Sequence, residues 1–263
     1  MTPGLIYTEL KKELGSVNPY MAIVDASVRF LLNEADTASQ PHKFISEKAR
    51  SLGYGRLYLK DLALDRAQQF VYISHLAFIN SKAEVACDRI RKQSLVLPPV
   101  MAVEGDYLRE AVRVLHASRN GTSTIINNDI ALGDFVDVED VVVVDYYRKL
   151  RNENFHADKV KSKYPFDHAQ LAAISEKYGF LPSEPGSLSS QDMVLLSMVW
   201  QNIIFKLCSN ALDPIRDIMP VVSKRYKGII GGRKERGIIQ HLRQEYLLDS
   251  YAASELFSRI KAG

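Results

Sequence analysis

The stretch Asp137-Val-Glu-Asp-Val-Val-Val-Val-Asp-Tyr-Tyr-Arg-Lys-Leu-Arg-Asn-Glu-Asn-Phe-His-Ala157 decides how this chain is read. Its four consecutive valines, Val141 to Val144, suit a buried strand, because β-branched side chains favour extended backbone. The acids around them argue for a helix instead: Asp137, Glu139 and Asp140 supply capping groups and negative charge where a helix macrodipole is positive. At about 100° per residue, Val144, Tyr147, Arg151 and Phe155 then form one stripe, with Asp145, Lys149, Asn152 and His156 on the adjoining polar flank. On the strand alternative the helix begins near Asp145, and the segment that follows is helical either way.

Arg151 interrupts an apolar stripe, so its guanidinium must find a partner or face a shielded cleft. An arginine stabilises extra negative charge on phosphorus, and a histidine titrates near neutrality and can move the proton of a ribose hydroxyl or a leaving oxygen. Those two side chains suffice for RNA cleavage by transesterification without a metal. Five residues apart, they diverge by about 140° around one helix, so a long arginine or a second copy of the helix must close the gap. Spacing alone is a weak signal, because Arg236 also precedes His241 by five positions and Arg109 precedes His116 by seven. Gly237 weakens the helix at the former, which reads as a basic surface, and the latter reads as a solvated helical face.

The run Leu150-Arg151-Asn152-Glu153-Asn154-Phe155-His156-Ala157 resembles the motif of the HEPN family (higher eukaryotes and prokaryotes nucleotide-binding). Ribonucleases of that family carry an Arg, four to six intervening residues and a His, usually with a polar residue after the Arg. The resemblance implies a helical bundle, a homodimer whose facing motif helices build one composite active site, and metal-independent cutting of RNA. It casts Arg151 as the phosphate-stabilising residue, Asn152 as its polar support and His156 as the acid or base. It also implies a toxin or antiviral defence effector, with an antitoxin or regulatory protein as a partner. The alternative is a non-catalytic helical module for dimerisation and for nucleotide or protein binding.

The remaining pattern is mostly helical, so the expected class is all-α: a HEPN-like bundle over 61–212, an N-terminal helical extension over 1–60 and a basic helical segment over 213–263. Helices are expected from Pro19 to Glu34, with a break from Ala35 to Pro41, and from Asp61 to Gln93, with Ala67, Phe70, Val71, Ser74, Phe78 and Val85 on its inner face. Leu97-Pro98-Pro99 ends that helix. Gly105 to Ser118 should turn Leu108, Val112 and Leu115 inward, and Thr124 to Val138 suggests short extended pieces after Asn120-Gly121. Ser187 to Ala211 reads as a Ser-capped helix with Val194, Met198, Trp200, Ile204 and Leu207 inward. Pro214 and Pro220 bracket a connector, and helix resumes from Lys234 to Lys261.

At 263 residues and 46% hydrophobic, the chain can bury a sizeable core. Neither a 20-residue apolar run nor a charged-then-apolar leader is visible, so a cytoplasmic protein without membrane contact is expected. Cys87 and Cys208 read as buried thiols and not as a disulfide framework. No phosphate-binding glycine loop, metal-spaced Cys or His cluster, or hydrolase elbow can be found, so no cofactor or metal is implied. Net charge is only +3, which leaves RNA attraction to local patches. Two are candidates: Lys159, Lys161 and Lys163 after the motif, with Tyr164 beside them for base stacking, and Lys224, Arg225, Lys227, Arg233, Lys234 and Arg236 around Gly231-Gly232.

Overall fold

A computed structural model describes residues 1–55, 63–64, 66–93, 106–120, 128–155, 163–226 and 232–262. Among these residues the chain is all-α, with no strand. The helices are α1 (Pro3–Thr37), α2 (Pro41–Ser51), α3 (Arg66–Gln93), α4 (Tyr107–Asn120), α5 (Asn128–Phe135) and α6 (Val138–Phe155), followed by α7 (His168–Tyr178) and α8 (Ser190–Ser209). A π-helical turn, Pro214–Ile218, leads into α9 (Met219–Tyr226), α10 (Gly232–Tyr246) and α11 (Ser250–Ala262). Two compact units interleave along the chain: Met1–Glu13, Asn80–Val142 and Met198–Gly263 make one, and Leu14–Ile79 and Val143–Ser197 the other. Helices α1, α3, α6 and α8 each supply residues to both.

The valine run is helical. Val141, Val143, Val144, Tyr146, Tyr147 and Leu150 are all buried, so α6 is apolar on most sides and burial outweighs the modest helix cost of β-branched residues. The first helix is much longer than the sequence pattern suggests and continues straight through Pro19. Proline inside a helix costs about 3 kcal/mol, but Ile6, Leu10, Leu14 and Met21 are buried on either side of it, each worth roughly 1.5 to 3 kcal/mol. The residue four positions before Pro19 is Gly15, which has open space around it.

Three expectations about faces and segments are corrected. In α3, Phe70 and Val85 are exposed, and the buried side is Tyr72, Ile73, Leu76, Ile79, Ala83, Ala86, Cys87 and Ile90. In α8, Trp200, Ile204 and Leu207 are buried as expected, whereas Val194 and Met198 face outward. Residues 128–135 form α5, where extended pieces were expected. Leu108, Val112 and Leu115 of α4 do point inward.

In the first unit, Trp200 Nε1 donates to Asn80 Oδ1 at 2.9 Å, both side chains being buried. Cys87 and Cys208 are free and buried, and burial raises both thiols, Cys208 to about 12. The C-terminal helices close on Ile218, Val222, Ile238, Leu242, Leu256 and Phe257. Gly4 packs so tightly that a Cβ there would sit 1.8 Å from the Gln244 carbonyl oxygen. Among the described residues, no helix is long and apolar enough to cross a membrane.

Candidate active site

The second unit holds the C-terminal half of α6, which is fastened by one buried carboxylate. Asp192, in the first turn of α8, is fully buried. It accepts from the Tyr147 hydroxyl at 2.6 Å, the Ser183 amide and hydroxyl at 2.8 Å each, the Ser189 amide at 2.7 Å and the Ser189 hydroxyl at 3.0 Å. A bare carboxylate in this place would be very costly, but these donors and the positive end of the α8 dipole answer the charge. Burial and the neighbouring Asp192 push the Tyr147 phenol far above its ordinary value, so Tyr147 remains a donor. Beside it, the Tyr146 hydroxyl donates to the Ser183 carbonyl at 2.6 Å.

Four residues beyond Tyr147, on the same helical face, stands Arg151. It is half-buried, and its Nε donates to Asn152 Oδ1 at 3.1 Å, a contact that sets the plane of the guanidinium. Asn154 Nδ2 donates back to the Leu150 carbonyl at 2.8 Å, and Arg148 pairs with Asp145 at 3.2 Å. Glu153, which the sequence did not single out, has its Oε1 buried with no hydrogen-bond partner among the described residues. Chemically, this end of α6 offers a planar cation oriented by a neighbouring amide.

His156, Lys159, Lys161 and Lys227 lie outside the described residues. Arg233 and Lys234 fall in the first turn of α10, with their side chains likewise outside the description. Lys163, Lys224, Arg225 and Arg236 are exposed. The structure therefore brings Arg151 and Asn152 together. Tyr164 is committed to structure and is not a free stacking platform. Its hydroxyl donates to the Pro182 carbonyl at 2.7 Å, and its ring meets Phe166 and Tyr146 edge-on at 5.1 and 5.8 Å.

Two further features escaped the sequence. Asp192 carries a local signal, since Ser189-Ser-Gln-Asp192 has the spacing of a helix capping box, but its role in holding Tyr147 joins residues 45 apart. The other is a contact between Arg225 and His241, which α9 and α10 bring to 3.4 Å across 16 residues. Among the described residues no group of three His, Cys, Asp or Glu side chains gathers as metal ligands would. Protein-family models, curated proteins and solved structures were compared with the chain, and none matches.

Proposed function

We propose that the protein is a metal-independent endoribonuclease of HEPN type that cuts RNA by attack of the ribose 2′-hydroxyl. The observation that supports this most is the Arg151–Asn152 contact one turn beyond the Tyr147–Asp192 anchor: a cation oriented by an amide, on a helix fastened by a buried carboxylate. In this mechanism His156 takes the 2′-hydroxyl proton or protonates the departing 5′-oxygen, Arg151 neutralises the phosphorane, and Asn152 holds Arg151 in plane. The bond formed is 2′-O to phosphorus and the bond broken is phosphorus to 5′-O, so the products are a 2′,3′-cyclic phosphate and a 5′-hydroxyl. A homodimer supplies two copies of Arg151 and His156 to one cleft, with Lys159, Lys161 and Lys163 guiding RNA toward it. In a cell such an enzyme acts in the cytoplasm as a toxin or antiviral effector, restrained by an antitoxin or regulatory protein.

The test is incubation of the pure chain with RNA in excess chelator beside an Arg151→Ala/His156→Ala double variant. Cyclic-phosphate ends made only by the wild type are expected. Equal inertness of both, with dimerisation intact, would leave the non-catalytic binding module as the better account.

A further inference from the structure

We infer that Arg225, Tyr226, His241 and Tyr246 form a contact site for single-stranded RNA, taking a backbone phosphate on Arg225 and a base beside the two tyrosines. This deepens the ribonuclease proposal and rests on RNA being the substrate. The site begins with how Arg225 is held. Arg29, Arg89, Arg91, Arg148, Arg216 and Arg259 each have a carboxylate within 3.2 Å. Arg225 has none among the described residues, and it is exposed. Its guanidinium lies 5.6 Å from the Tyr226 ring centroid, with Nη1 3.4 Å from His241 Nε2. An arginine oriented by a ring and an imidazole keeps its charge for an outside anion, which an arginine paired to an acid does not.

His241 is oriented as well. Its ring stands edge-on to Tyr226 at 5.8 Å and to Tyr246 at 6.4 Å, so three half-buried rings from α9 and α10 are grouped beside the cation. Burial, then the Arg225 charge, lowers the His241 pKa, so the imidazole is neutral at neutral pH. Because arginine only donates, Nε2 accepts and the proton sits on Nδ1, leaving one N–H for a ligand. The nearby acid, Glu245, is engaged by the Thr2 hydroxyl at 2.6 Å. A cation beside grouped aromatic rings suits a nucleotide better than a bare anion, since single-stranded RNA binding combines phosphate contacts with base stacking. Lys224 on α9 and Arg236 on α10 are exposed positive charges of the same two helices.

The experiment titrates the wild-type chain, in chelator, into a fluorescein-labelled pyrimidine-rich 12-nucleotide RNA made entirely of 2′-O-methyl residues, which 2′-hydroxyl attack cannot cut. Arg225→Gln should weaken binding about tenfold, the scale of one lost charged hydrogen bond, and Tyr246→Leu at least about fivefold through lost stacking. Heparin serves as a base-free polyanion, and Tyr246→Leu should leave its affinity unchanged. His241→Asn, which keeps a donor but loses the ring, should fall between the other two variants. Binding within twofold of wild type for Arg225→Gln and Tyr246→Leu, no RNA binding at all, or equal loss toward heparin would each overturn the site. Cleavage of ordinary RNA is scored separately. If the wild type cuts nothing but the binding pattern holds, the ribonuclease proposal falls and the site stands; if cutting persists with unchanged binding, the reverse is true.

Discussion

Asp192 and Arg225 are both charges with no opposite charge within ion-pair distance among the described residues, and they are treated in opposite ways. Asp192 is sealed, and the side chains and amides of three residues, Tyr147, Ser183 and Ser189, answer both its oxygens. Arg225 is exposed and, among the described residues, is answered by an imidazole and a ring. The first arrangement holds a helix in place; the second leaves donors for something outside the chain. Arg151 is half-buried, and its Nε donates to Asn152 Oδ1.

The largest effect that separates the two is on stability. Asp192→Ala strands the buried Tyr147 hydroxyl and the Ser183 and Ser189 amides, and should cost roughly 3 to 5 kcal/mol, read from the urea midpoint with the slope unchanged. Arg225→Gln should move that midpoint by less than about 0.5 kcal/mol. Similar shifts for both would erase the distinction. Tyr147→Phe removes one donor and leaves the other four, so a loss of about 1 to 2 kcal/mol is expected, well short of the Asp192→Ala value. A Tyr147→Phe loss as large as that of Asp192→Ala would mean that the ring position, and not the carboxylate, holds α6.

The smallest effect is in the pH profile. Burial alone would raise the Asp25 pKa, but hydrogen bonds from Tyr72, Gln68 and Arg29 outweigh it and hold the carboxyl below its usual value. Asp88 and Asp217 are lowered in the same sense by their basic neighbours. Lowered carboxyl pKa values give stability that is present above the unfolded value of about 4 and lost as pH falls through the folded ones. His75 and His241 are also lowered, chiefly by burial, so they favour the fold above about pH 6.5 and oppose it as pH falls below that. Thermal melts should show a shallow decline from about pH 6.5 toward 5 and a steep one below about pH 4. His241→Gln should flatten part of the shallow arm only; a change in the steep arm would show that His241 is coupled to carboxylates beyond α9 and α10.

The legible parts of the molecule were those decided by neighbours in sequence. Helical class, the inward side of α4 and the adjacency of Arg151 and Asn152 all follow from local spacing. The inner face of α3 did not, because apolar residues occur on several sides of that helix and long-range partners choose among them. Tyr72 is drawn in by Asp25 of α1, to which its hydroxyl donates at 2.6 Å. The passage of α1 through Pro19 rests on burial of residues far along the helix, and the interleaving of the two units is invisible in any linear pattern. The Arg225 and His241 contact depends on how α10 folds back on α9. Sequence spacing set Arg236 five positions before His241, a pair read as basic surface, whereas packing brings Arg225 to His241.

The central claim is most directly tested by single-turnover cleavage, in chelator, of one RNA and of the same strand carrying a single 2′-deoxy residue at the cut site. Wild-type protein should convert the first to a 2′,3′-cyclic phosphate and leave the second whole, with His156→Ala slowed by roughly 10² to 10⁴ and Arg151→Lys also severely impaired, because a point charge does not reproduce a planar fork. Equal cutting of the deoxy-substituted strand, or a reaction that stops when chelator is added, would contradict it.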